Sequence, residues 1–275
     1  MRTIIRVFPR KTSLTPTDDL AFVGNPPLMR PEADEVHVSC VFSWHRKQAE
    51  YLAQAWAQYY PVVRLGGPAY NSPVDGPFVA GMYVKQGVTF TSRGCPRRCG
   101  WCVVPEREGA LREIADFSDG YIINDNNFIA TSGAHRERVY TMLRRQPKAA
   151  IFSGGIQASL VTDEVAAELR TIRIDSLFLA ADTVGSLKPL AEAVRRLSFL
   201  SRDKLRAYML LAYNGETIRE AEERLEAAWE IGVMPQAQLY QPADGWIDYP
   251  DEWRQLDRTW CRPAAMRAMH KEQTP

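Results

Sequence analysis

No apolar run in this sequence approaches the ~20 residues that a bilayer-spanning helix requires, so no membrane-embedded partner is expected. The opening stretch, MRTIIRVFPRKTS, has a basic flank but lacks a long apolar segment and a small-residue cleavage site. It does not read as a secretory leader, which makes the cytoplasm the expected compartment. An excess of charge is missing too. The 34 basic and 33 acidic side chains leave a formal net charge of +1, which excludes the global electrostatic signature of a dedicated nucleic-acid binder and leaves only a local patch open. Cysteine is scarce at five in 275 residues, too few to staple a chain of this length with disulfides. Three of the five nevertheless fall within eight consecutive positions, a spacing suited to metal rather than to crosslinks. Cys40 and Cys261 stand alone and read as buried small hydrophobes.

The length permits one large domain, or one domain with a modest appendage. The first 35 residues, rich in Pro, Thr and Asp, predict loop with one short strand at 3–8. Residues 36–42 alternate as a strand. Residues 45–60 place Ala49, Leu52, Ala53, Trp56 and Tyr60 on one helical face, and 62–65 read as a second strand stopped by Gly66-Gly67-Pro68. This strand–helix–strand pattern predicts a small N-terminal α/β element within residues 1–80. A Pro- and Gly-bearing stretch at 70–81 reads as a linker.

From there a beat of roughly 25–30 residues sets in, the length of one βα unit. Candidate strands lie at 88–91, 121–124, 149–153, 176–180, 206–212 and 234–240, each followed by a segment of helical character. The clearest helix spans 217–231: Thr217 and Glu220 form a capping box, Ile218, Ala221, Leu225 and Ala228 make the apolar face, and Gly232 stops it. Ser186 is expected to cap another helix, and a last one is expected at 250–261. The fold class is therefore α/β, with residues 81–275 forming a partial (β/α)6 TIM-like barrel of parallel strands, too short for the ~250 residues of a closed barrel. In such architectures chemistry sits just past the strand ends.

Past the first of those ends the sequence reads T-S-R-G-C-P-R-R-C-G-W-C. Cys95, Cys99 and Cys102 share one loop with Gly94, Pro96 and Gly100, whose small or turn-forming backbones let the chain wrap closely around a compact group. Thiolates are the usual ligands of iron–sulfur clusters. Three ligands on four irons leave one iron open, as in a catalytic rather than a structural site. A zinc site would need a fourth ligand from Cys40, Cys261, His37, His45, His135 or His270, none of which has a partner spacing. A ferredoxin site would need a fourth nearby cysteine, which is absent.

These residues resemble the signature of the radical S-adenosylmethionine (SAM) superfamily, C-x3-C-x-Φ-C, with Trp101 as the aromatic Φ. T-S-R-G-C-P and the following V-V-P look most like the cobalamin-domain and methylthiotransferase-like branch. The resemblance covers roughly two thirds of the chain, 88–261. It implies a [4Fe–4S] cluster on Cys95, Cys99 and Cys102, whose open iron chelates SAM. One electron from an external donor such as flavodoxin or ferredoxin would cleave SAM to methionine and a 5′-deoxyadenosyl radical, which abstracts hydrogen from a substrate. It also implies SAM contacts at the later strand ends: Trp101 beside the adenine; Asp125, Asn126 and Asn127 on the amino group; Gly154 and Gly155 where backbone approaches ligand; Asp182 on ribose or substrate; Asn214 and Glu216 in the segment that shapes the adenine pocket. Asn124-Asp125-Asn126-Asn127 departs from the commoner Gly-Gly-Glu, although an acidic-polar run is seen in that branch; an Asx turn ending the strand is the alternative, and the register favours SAM contact.

The branch's second cluster would need three more cysteines, and only Cys40 and Cys261 remain. A D-x-H-x-x-G cobalamin motif is absent, so residues 1–80 read as a cap or a reduced Rossmann-like element. Arg93, Arg97 and Arg98 flank the cysteines, and Arg136, Arg138, Arg144, Arg145 and Lys148 lie on or beside one predicted helix. They permit a nucleotide or nucleic acid as substrate, although a solvated helix face is the simpler account of the second group. Trp44, Trp246 and Tyr249 fall in candidate loops where they are free to stack on substrate. The reading of a different class is a non-catalytic iron–sulfur or zinc protein.

Overall fold

The computed structural model describes residues 2–70, 79–243 and 245–271. Most of the expected 70–81 linker lies outside them. The chain divides into two compact units, residues 1–88 with 243–246, and residues 89–242 with 247–275.

The first unit is built on β1 (Ile4–Phe8), β2 (Ala21–Val23), β3 (Glu35–Ser39), α1 (Arg46–Ala57) and β4 (Val63–Gly66). The strands form a parallel sheet in the order β2-β1-β3-β4. Strand β2 was not expected: three residues with no clean alternation carry no periodic signal. Alternation sends Ile5, Val7, Val36 and Val38 to one face, where they pack with Ala49, Leu52 and Trp56 of α1. On the other face Arg6, His37 and Arg64 lie side by side in register across three strands. Carboxylates answer this row. Glu35 pairs with Arg2 at 2.6 Å, Arg64 at 2.7 Å and His37 at 3.0 Å, while Arg6 pairs with Asp18. His37 and the two guanidiniums hold the Glu35 carboxyl down at about 2.

The second unit begins within β5 (Val88–Thr89) and carries β6 (Ser92–Arg93), α2 (Val104–Arg107), β7 (Arg112–Glu113), β8 (Ile122–Ile123), α3 (Gly133–Arg145), β9 (Ala150–Gln157) and α4 (Asp163–Arg170). It continues with β10 (Ile174–Ala180), α5 (Leu187–Arg196), β11 (Leu205–Leu211), α6 (Ile218–Ile231), β12 (Met234–Leu239), α7 (Asp251–Trp260) and α8 (Pro263–Lys271). Six strands form one sheet in the order β12-β11-β10-β9-β8-β5, with parallel pairing from β8 through β12. Val139, Leu143, Leu169, Leu190, Leu225 and Leu256 from the intervening helices cover it, giving a continuous core with Phe152, Leu177, Leu179, Ala207 and Met209.

The capping box at Thr217 and Glu220 forms, and Gly232 ends α6 at φ 108. Ser186 makes no cap bond; its hydroxyl meets that of Thr183 at 2.8 Å instead. Helix α8 was also unexpected. The first strand is followed by the short pair β6–β7 and the four-residue α2 rather than by a full helix. Strand β9 runs to Gln157, so Ser153, Gly154 and Gly155 lie inside it and not past its end.

Candidate functional site

The three cysteines ride on a loop that the antiparallel pair β6–β7 pinches at its base, with Ser92 opposite Glu113 and Arg93 opposite Arg112. Gly94 opens the loop at φ 76, where any side chain would collide with the carbonyl of Ala110. The amide of Cys95 then donates to Gly109 at 3.3 Å, and that of Cys102 to Cys99 at 3.0 Å. Glu108 knots the loop together: it accepts from Gly94 N at 3.0 Å and Asn126 Nδ2 at 2.6 Å, and pairs with Arg93 at 2.8 Å. Its role was not legible in the sequence, because its partners stand 14 to 18 residues away.

Behind the loop lies a buried polar frame. Asp125, only 1% exposed, accepts from Thr91 N at 2.7 Å, Thr91 Oγ1 at 2.6 Å and Ser92 Oγ at 2.9 Å. Burial raises its pKa above the ordinary carboxyl value, with those donors opposing. His135 stands 3.1 Å from Thr91 through Nε2; since the Thr91 hydroxyl donates to Asp125, its oxygen accepts from the imidazole. The Asp125 carboxylate thus has its donors inside the protein and acts by fixing the strand that leads into the cysteines. Asn126 is held on Glu108. Asn127, 3% exposed, exchanges bonds with Gln157 and aims its amide at the Cys95 sulfur, 3.9 Å away.

Gly154 is a glycine because a Cβ there would strike the Asp125 backbone, so the close approach is between β9 and the segment just past β8. Gly155 takes φ 89 against the Tyr208 ring. Glu216 accepts from Ala212 N at 2.9 Å and pairs at 2.6 Å with Arg224, itself bonded to the Leu210 and Ala181 carbonyls. Asn214 and Ala212 both sit at positive φ, 55° and 59°, a strained turn just past β11. No signal in an Ala-Tyr-Asn-Gly run marks Ala212 in advance.

Past β10, β11 and β12 a different set gathers. Asp182 accepts from Leu210 N at 3.0 Å, and the Trp101 indole, Cys102, Arg97 and Arg224 lie near it. Burial raises its pKa most, with those donors and cations opposing. The Trp101 ring meets Tyr213 edge-on at 5.4 Å, and Tyr213 meets Tyr240 at 4.9 Å. The cysteine loop and three strand ends are therefore drawn to one place, and Trp101 links them.

The chain matches no family model and no curated protein.

Among the described residues no three His, Cys, Asp or Glu side chains close on a point as ligands of a single metal ion. The donor set is still chemically specific. Cys95, Cys99 and Cys102 are each part-exposed, and Cys102 is shifted up first by burial and then by the charges of Cys99, Cys95 and Asp182. Thiolates are the usual ligands of iron–sulfur groups, and three on one short loop are the donors such a group takes. A group larger than one ion also tolerates ligands that stand apart. The expected basic stripe on α3 is spent internally: Arg136 pairs with Glu168 at 2.8 Å, Arg144 with Glu137 at 2.8 Å, and Lys148 lies over Tyr121.

Proposed function

We propose that the chain is a radical SAM enzyme whose [4Fe–4S] cluster is held by Cys95, Cys99 and Cys102. One observation carries the reading: the C-x3-C-x2-C loop stands at the end of a parallel sheet, tied through Trp101 to Asp182 and Tyr213 past two other strands. The sheet runs in sequence order from β8 to β12, which is the order of an arc of a (β/α) barrel and supports a partial TIM-like barrel. When bound, the cluster supplies the electron that cleaves the sulfonium of SAM. This chain's residues then do the rest. Asn127 directs an N–H at a ligand sulfur, a contact of the kind that tunes cluster potential. Trp101, Tyr213 and Tyr240 offer an aromatic wall for adenine. Asp182 orients the Trp101 indole, and Asp125, Glu108 and Glu216 hold the loop and strand ends in place as positioning residues.

The test is anaerobic. After reconstitution with iron and sulfide, wild type should hold about four irons per chain and release 5′-deoxyadenosine on addition of SAM and dithionite; Cys99→Ala should do neither. One tightly held zinc and no iron would replace this reading with that of a structural metal protein.

A further inference from the structure

The first unit presents rings and charges at its sheet end that its own packing does not use. In the strand order β2-β1-β3-β4 the direction of winding reverses between β1 and β3, and open parallel sheets leave a crevice outside the carboxyl ends of such a pair. The chain leaves β1 through Pro9, Arg10 and Lys11, and leaves β3 through residues 40–45. There Phe42 stacks on Trp44 at 4.8 Å with the rings 14° apart. Trp246, from the 243–246 segment that belongs to this unit, meets Trp44 at 5.4 Å. Phe42 and Trp44 are each 37% exposed and Trp246 is 59% exposed. A lone exposed aromatic needs no explanation, but a contiguous run of three is a recognition feature.

Charge points the same way. Arg10 lies close enough to His45, which edges onto both Phe42 and Trp44, to help burial push that imidazole towards its neutral form. Elsewhere in this unit Arg2, Arg6 and Arg64 each face a carboxylate. Among the described residues neither Arg10 nor Lys11 has an ion pair or a hydrogen bond, and the indole N–H groups of Trp44 and Trp246 have no acceptor. An uncompensated Arg10 beside exposed rings, with Lys11 next to it in the chain, complements a ligand that alternates phosphates with flat bases.

We infer that this face binds an unpaired stretch of nucleic acid, bases stacking on Phe42, Trp44 and Trp246 while Arg10 and Lys11 neutralise phosphates. An open run of three rings serves successive bases, whereas a free nucleotide is ordinarily enclosed by its pocket. The inference stands apart from the chemistry of the cysteine loop and survives its failure.

The experiment is a fluorescence-anisotropy titration of labelled oligo(U), about 12 nucleotides long, with the full chain at several salt concentrations. Wild type should bind with quenching of tryptophan fluorescence. Trp44→Ala should weaken binding roughly 5- to 100-fold. Arg10→Gln should reduce the salt slope by about 0.7. Leu28→Ala, which removes a side chain 93% exposed and outside this cluster, should change neither. Circular dichroism of each variant separates lost binding from lost folding. Equal affinity in wild type, Trp44→Ala and Arg10→Gln would overturn the inference. So would equal binding of a duplex of the same length, equal competition by uridine monophosphate, or no binding at low salt.

Discussion

Asp125 and Arg10 each stand two residues past the end of a parallel strand, and the fold treats them in opposite ways. Asp125 is enclosed and accepts from Thr91 and Ser92, so its charge is spent on geometry. Arg10 is exposed, and among the described residues it has no counter-ion. The same contrast separates Glu216, locked to Arg224, from the open stack of Trp44 and Trp246. A strand end whose polar groups satisfy one another makes a rigid frame for a group placed between its loops. One whose groups stay unsatisfied makes a surface that waits for a partner.

Substitutions break or sharpen this contrast, the largest effects falling in the frame. Gly154→Ala drives a methyl into the Asp125 backbone, which has nowhere to move, and should cost at least about 3 kcal/mol in urea unfolding. Gly155→Ala, strained only in φ, should cost about 1–2 kcal/mol. Glu216→Gln strands the buried Arg224 guanidinium and should destabilise by on the order of 3 kcal/mol in the same assay. Asp125→Ala leaves the Thr91 amide without its acceptor and should cost about 2 kcal/mol. It should also lower iron content on reconstitution, because it loosens the strand that presents the cysteines. Full loading with only SAM affinity lost would instead make Asp125 a ligand-contacting residue.

The smallest effect tests the first unit's internal charges. The folded pKa of Glu35, about 2, lies below its ordinary value of 4.5, so its contribution is complete above 4.5 and is lost as pH falls towards 2. The gap in urea midpoint between wild type and Glu35→Gln should therefore close progressively across that window. A gap that persists at the acid end would mean that shape, not charge, is what Glu35 contributes.

Local pattern was enough to place most elements. The α1 face of Ala49, Leu52 and Trp56, the capping box at Thr217 and the strands from β8 to β12 follow from period and caps, because each signal is carried by residues a few positions apart. Strand β2 lacked such a signal, and β9 ran on because glycines mark a close crossing as readily as a turn. Ser186 failed as a cap because a 3-10 turn at Val184–Ser186 runs straight into the helix, leaving its backbone helical (φ -82, ψ -15) where a capping residue is extended.

The sequence by itself determined the α/β pattern, the single loop that carries three cysteines and the absence of a fourth cysteine nearby, since all of these are matters of spacing along the chain. Only the tertiary structure decided which polar groups are spent and which are free. Glu108 became the knot of the cysteine loop, Asp125 and Glu216 turned inward, Asp182 met Trp101, and Trp246 came back to Trp44 across about two hundred residues of chain. The reason is physical: a hydrogen bond or a ring contact depends on distance in space, and a chain that crosses one sheet six times sets those distances through packing that no short window of sequence records.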